Sequence, residues 1–273
     1  MHPFVTARAS ASPGMASPSP SMGLDGTAML VFQPAVDLAT GRLLGFEALL
    51  RWRNAAGGEI PPNVLIPWAE ANGYMEALNA WVLSEGCLQA ARWPSDLQLA
   101  VNCSVFQLHR GNAAIAAAAA LEQSGLNADR LTVEVTETSV SDEQAVEDLN
   151  VMTRLGIQLT VDDVGADLSV LEGLGECVVN TVKIDASLVG DLLNPDGNSL
   201  AIVKTIVKLS RALGICTVAE AVETDAQVAL LREIGAETAQ GYFFSAPLSA
   251  EETFALATMD PRPRFALSVP PLP

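Results

Sequence analysis

Two consecutive carboxylates, Asp162 and Asp163, close the apolar stretch Leu159-Thr160-Val161 and are followed by Val164 and Gly165. Residues 157–161 are apolar and β-branched enough for a strand, and Gly156 separates them from a helix-like segment. Neighbouring strand residues point to opposite faces, so both carboxylates converge only where the strand gives way to its loop. Two anions held together repel unless something positive sits between them, and a hard divalent cation is the simplest candidate. Taken alone, the segment reads as a strand and a solvated turn, because Asp and Gly are ordinary turn residues. The polar residues at other strand ends change that reading: Glu47, Asn102, Glu134, Lys183, Glu220 and Gln240 each lie in or beside a short apolar run. A carboxylate such as Glu47 inside an apolar strand is costly unless paired. His2 and His109 are the only two histidines, too few for a His-rich site, so oxygen ligands and Mg²⁺ or Mn²⁺ are expected rather than zinc.

These residues need a scaffold that brings successive strand ends to one place. The pattern predicts a strand over 28–33 stopped by Pro34, and a second over 43–50 carrying Glu47. Pro61 and Pro62 open a helix toward Asn72-Gly73, and a longer helix over 75–92 ends at Pro94. Strand 97–101 ends at Asn102, and an alanine-rich helix over 113–123 is closed by Gly125. Strand 131–135 bears Glu134, with Glu137 just beyond, and Ser141 caps a helix running to Leu155. Strand 179–184 carries Lys183 and then Asp185, which either orients Lys183 or caps a loop. Helix 199–213, strand 215–218 ending at Glu220, helix 224–234, strand 238–244 with Gln240, and a helix from Ser249 complete the series. Repeated strand–helix units over roughly 230 residues predict a (β/α) barrel, whose C-terminal strand rim holds the chemistry.

Composition bounds the partners. The 273 residues are 49% hydrophobic and carry a formal net charge of -17. No basic stripe is present to release counterions, which argues against a nucleic-acid polymer but not against one small nucleotide held through metal ions. No apolar run reaches membrane-spanning length. The N-terminus lacks the apolar core of a signal peptide. Cys87, Cys103, Cys177 and Cys216 sit among apolar neighbours without a CxxC pair and read as reduced core thiols of a cytoplasmic protein. Residues 1–26 are Ser/Pro-rich and read as disordered, 27–257 as the folded domain, and 258–273 as a Pro-rich tail, loose from Asp260.

From Phe32-Gln33-Pro34 to about Pro247 the chain resembles the EAL-domain family of cyclic di-GMP phosphodiesterases. The resemblance rests on Glu47-Ala48-Leu49-Leu50-Arg51-Trp52, Asn102-Cys103-Ser104, Glu134-Val135-Thr136-Glu137, Asp162-Asp163, Lys183-Ile184-Asp185, Glu220-Ala221-Val222-Glu223 and Gln240-Gly241-Tyr242, in family order. It implies an α/β fold, a modified TIM (β/α)8-type barrel with one antiparallel strand. It also implies a two-metal site: Glu47, Asn102, Glu134 and Asp162 hold a first Mg²⁺ or Mn²⁺, and Asp162 bridges to a second that Asp163 also binds. Lys183 then holds the attacking water, Glu220 shares in proton transfer, Glu137 anchors the loop after Asp163, and Gln33, Arg51 and Gln240 help hold the dinucleotide. Arg51 has a second reading as the ion-pair partner of Glu47, and Glu223 reads as structural. Trp52 and Trp68 read as core.

The loop after the Asp pair departs from the family's Asp-Asp-Phe-Gly-Thr-Gly-Tyr-Ser-Ser-Leu. Here it reads Asp162-Asp163-Val164-Gly165-Ala166-Asp167-Leu168-Ser169-Val170-Leu171, so Glu137 loses a hydroxyl partner at Ala166 and Asp167 adds a negative charge. Ala221 stands where the family has Gly. An intact ligand set beside an altered loop implies a slow phosphodiesterase converting cyclic di-GMP to linear pGpG. The alternative is a silent cyclic di-GMP receptor that acts through a protein partner. Leu168, Val170, Leu171 and Leu174 line either a homodimer face, as the resemblance implies, or ordinary core.

Overall fold

The computed structural model of the chain describes residues 20, 24–104, 108, 112–136, 139, 142–165 and 179–267. Among these, eight strands close into a barrel: β1 (Gly26–Asp37), β2 (Leu43–Asn54), β4 (Gln98–Asn102), β5 (Leu131–Thr136), β6 (Gln158–Val164), β7 (Thr181–Ile184), β8 (Cys216–Ala219) and β9 (Thr238–Ala239). A short β3 (Glu59–Ile60) pairs with the outer end of β2. β1 runs antiparallel to both neighbours, β2 and β9, and the remaining barrel pairs are parallel. This is the modified barrel with a single reversed strand that the resemblance implied. Helices α1 (Pro62–Ala71), α2 (Met75–Ala90), α3 (Asn112–Ser124), α4 (Glu143–Arg154), α5 (Ala186–Gly190), α6 (Ser199–Leu213), α7 (Asp225–Ile234) and α8 (Ala250–Thr258) flank the barrel. No described helix is long and apolar enough to cross a membrane.

Several boundaries differ from the sequence expectation for physical reasons. β1 does not stop at Pro34. Phe32 N–H bonds to the Leu248 carbonyl at 2.8 Å, on the side away from β2, and Pro34 lies two residues on along the same side. Its missing N–H therefore removes no bond to β2, and the strand continues to Asp37. Ser141 lies outside the described residues; the carboxylate of Asp142 accepts from Ala145 N–H at 3.0 Å and caps α4. β9 is only two residues long, because after Ala239 the chain turns inward at Gln240. Residues 260–267 are not loose: Arg262 pairs with Asp96 at 2.6 Å, and Phe265 N–H bonds to the Gly41 carbonyl at 2.8 Å. Cys216 is exposed rather than core, while Cys87 and Cys103 are buried and Cys177 lies outside the described residues.

The barrel interior is built in layers, and the layering positions the site. Side chains two apart on a strand share a face. Gly45, Ala100, Thr132, Thr160, Thr181 and Val218 form a lower inward layer around a cavity of about 160 Å³. Two residues further along the same strands come Glu47, Asn102, Glu134, Asp162, Lys183 and Glu220. Small or β-branched side chains thus underlie every long polar one. On the other face of β1 and β2, level with Glu47, the ring of Trp93 packs on Phe32 and Phe46 at centroid distances of 5.5 Å and 5.0 Å. Such aromatic burial backs the strand that carries Glu47.

Candidate active site

The register sets the rim before any side chain is considered. Asn102 pairs with Glu134 across β4 and β5, Thr136 with Asp162 across β5 and β6, and Gln33 with Glu47 across β1 and β2. At the centre is the ammonium of Lys183, whose side chain is 2% exposed. Its Nζ lies 2.7 Å from Glu220 Oε1, 3.0 Å from Glu134 Oε2, 3.3 Å from Glu47 Oε2 and 3.4 Å from Asp162 Oδ1. Asn102 donates its Nδ2 to Glu47 Oε1 at 2.8 Å, which leaves the amide oxygen free to ligate. Gln240 donates Nε2 to Glu47 Oε2 at 2.6 Å and to Glu220 Oε1 at 3.2 Å.

Asp162 continues the inward face of β6, and Asp163 by strict alternation would point away. The ladder between β6 and β7 is irregular between Val161 and Val164, and Asp163 has φ 58. That left-handed residue within a bulged edge returns the second carboxylate to the site. One oxygen each from Asp162, Asp163 and Glu220 then lies within 4.8 Å of the others. A single oxygen-liganded divalent cation can span that spread, since its bonds are about 2.0–2.6 Å. The sequence placed this convergence in a fraying loop; the structure places it inside β6.

Charge dominates the chemistry of the pocket. Glu47, Glu134, Asp162, Asp163 and Glu220 surround one ammonium. If all five were ionised, one lysine would leave four negative charges uncompensated, and like charges about 4 Å apart repel by ~4 kcal/mol at an effective dielectric near 20. Burial pushes the Glu220 carboxyl up to about 7, against the pull of Lys183. Burial likewise holds Glu134 well above the usual carboxylate range. Burial works to raise Glu47 as well, but Lys183, Gln240 and Asn102 outweigh it and hold that group below its ordinary value. Asp163 is raised by burial and by Asp162 beside it. Burial would lower Lys183, yet Glu134, Glu47, Glu220 and Asp162 keep it charged, well above its ordinary value. A pocket with this surplus attracts hard cations, and the donor set of carboxylates plus one amide fits them.

Beside the pocket opens a cleft of about 390 Å³ whose walls include Gln33, Glu47, Leu49, Glu220, Glu223 and Tyr242. Gln33 thus lies on the wall of this cleft. Arg51 does not pair with Glu47; its Nη1 donates to the Leu50 carbonyl at 2.9 Å. It shares the inward face of β2 with Glu47 and Leu49, one step further along the strand. Asp185 accepts from Ser187 N–H at 2.8 Å and caps α5. Trp52 is fully buried. Glu137, Ala166, Asp167, Leu168, Val170, Leu171 and Leu174 lie outside the described residues. Tyr242, which the sequence places in the Gln240-Gly241-Tyr242 segment without a role of its own, is 68% exposed on the cleft wall.

Ala221 follows Glu220 with φ 48, a conformation suited to glycine. The side chain holds the backbone in strain of about 1–2 kcal/mol. Ala221→Gly should therefore stabilise the protein by on the order of 1 kcal/mol. An urea midpoint that stays put or falls would show that the alanine is unstrained.

The family described as EAL domain matches residues 24–247. The oxygen sensor protein DosP of Escherichia coli K12 is 37% identical over 229 residues, covering 82% of this chain and 28% of DosP. The solved structure described as the PaMucR phosphodiesterase in complex with c-di-GMP superposes with a TM-score of 0.78 at 34% identity, covering 82% of this chain and 93% of that one. The FimX EAL domain from Pseudomonas aeruginosa, bound to c-di-GMP, gives a TM-score of 0.74 at 25% identity, with 82% and 91% covered. The chain spans 27% to 38% of the length of curated relatives it matches.

Proposed function

The chain belongs to the EAL-domain family, and we propose that it is a slow, metal-dependent phosphodiesterase that opens cyclic di-GMP to linear pGpG. One observation carries this reading: five carboxylates and a single buried lysine share the barrel rim beside an open cleft. Two divalent cations supply four positive charges, as many as the five carboxylates would need beside Lys183 once fully ionised. Asp162, Asp163 and Glu220 suit one ion, while Glu47, Asn102 and Glu134 suit the other together with Asp162. When bound, such a pair lowers the pKa of a water and stabilises the attacking and leaving oxygens of an in-line displacement.

The remaining roles belong to the chain. Lys183 orients the water toward phosphorus and stabilises charge as the P–O bond to the 3′ oxygen breaks. Glu220, with Oε1 2.7 Å from Lys183 Nζ, shares in proton transfer to and from that water. Gln33 and Arg51, on adjoining strands, hold the dinucleotide in the cleft. Glu137 anchors the altered loop, whose Ala166 and Asp167 keep turnover low. Residues 27–257 are the working unit in this reading, which sets the protein in the cytoplasm with a self-association face at Leu168, Val170, Leu171 and Leu174.

Chromatographic detection of pGpG with Mg²⁺ or Mn²⁺, run beside calorimetric titration with cyclic di-GMP, is the test. Linear product that vanishes with chelator is the expected result. Tight binding with no product would establish the receptor instead, and neither binding nor product would sink both.

A further inference from the structure

We propose that Gln240 is a positioning residue for the Glu47–Glu220 carboxylate pair, and that it does not contact the dinucleotide. This rests on the reading above that the pocket takes divalent cations. A side-chain amide has two N–H donors on one nitrogen. In Gln240 both are committed, one to Glu47 Oε2 at 2.6 Å and one to Glu220 Oε1 at 3.2 Å. Gln240 borders the cleft, but it is only 5% exposed and no donor remains for a phosphate.

The two oxygens it joins are the same two that Lys183 reaches, at 3.3 Å and 2.7 Å. Glu47 stands on β2 and Glu220 beyond the end of β8. Like-charged oxygens from well-separated strands would splay apart, and Lys183 and Gln240 together pin them. The proposed task of the lysine is to turn toward the reacting water. The amide is the donor that stays. Its backbone is held at both ends: Gln240 N–H bonds to the Ala219 carbonyl at 2.9 Å, and the Gln240 carbonyl accepts from Val222 N–H at 3.1 Å. With Gln240 fixing one oxygen of Glu47 and Asn102 the other, the carboxylate plane is set before an ion arrives. Groups that orient ligands in this way govern metal affinity.

Gln240→Met keeps the length and removes the donors. Calorimetric titration of the full chain with Mn²⁺ alone should show Kd weakened by about 10- to 100-fold. The Kd for cyclic di-GMP, measured in saturating Ca²⁺, should move less than about threefold, since RT ln 3 is only ~0.65 kcal/mol. In a cycle with Glu220→Gln, the two effects on Mn²⁺ affinity should be non-additive. Should the Met variant fail to fold, Gln240→Asn draws the donor back by one methylene and should still weaken Mn²⁺ without moving the dinucleotide.

The opposite split, weakened dinucleotide with unchanged Mn²⁺, would overturn the proposal and restore Gln240 as a ligand contact. A wild-type chain that binds no Mn²⁺ would overturn it together with the metal site. A chain that binds Mn²⁺ but forms no pGpG removes only the hydrolytic reading, and the affinity comparison still decides the role of Gln240.

Discussion

Asp162→Asn is expected to lower the turnover of cyclic di-GMP by roughly a thousandfold or more, about 4 kcal/mol of transition-state stabilisation, while making the metal-free protein more stable. The two effects have one cause. Asp162 is the carboxylate common to both halves of the pocket: Oδ1 lies 3.4 Å from Lys183 Nζ, and the residue also belongs to the Asp162–Asp163–Glu220 cluster. Asparagine keeps the shape, and its Oδ1 can still accept the 2.9 Å bond from Asp163 N–H. It loses the charge that draws a cation. In chelator that same loss relieves repulsion among the remaining carboxylates, so the melting temperature should rise. Mn²⁺ should no longer raise it further, since binding linkage vanishes with affinity. A variant that melts lower in chelator, or that still gains stability from Mn²⁺, would show that Asp162 is not the bridge.

Lys183→Met should move metal-free stability in the opposite direction. Removing the only ammonium leaves the buried carboxylates without a partner, and breaking a buried pair in this way costs about 3–5 kcal/mol. Divalent cations should restore much of that loss, because they bring the same sign of charge to the same pocket. Turnover should fall by roughly 10²–10³ even at saturating metal, the range for removing one preorganised donor. Denaturant titrations with and without Mn²⁺ check the first claim, and single-turnover rates check the second. The double variant Lys183→Met, Asp162→Asn should recover part of the metal-free stability. Independent, additive effects would mean that the two groups do not share one charge balance.

Much of this architecture was legible in the sequence, because strand ends carry their signal locally. Glu47, Asn102, Glu134, Lys183 and Glu220 each interrupt an apolar run, and periodicity alone put them at one rim. Tertiary context decided the rest. Pro34 reads as a stop, yet it costs nothing where its N–H would face away from β2. Asp163 reads as pointing outward, yet an irregular pairing with β7 turns it back. The partners of Gln240 stand 193 and 20 residues away, so no window of sequence could show what its amide bonds. The Phe that the family carries in the altered loop is Val164 here, and it is fully buried. Reinstating the larger ring would overpack that position.

The small side chains under the rim give the protein a distinctive response to pressure. A dry void of about 160 Å³ would vanish on unfolding, a volume loss on the order of 100 mL/mol, as large as whole proteins ordinarily show. Most of the surface of this chamber is apolar, although Glu47, Glu134 and Gln240 border it, and a cavity of that kind holds water poorly. The layer directly beneath the charged rim is then the one that hydrostatic pressure should collapse first, so compression reaches the site from below.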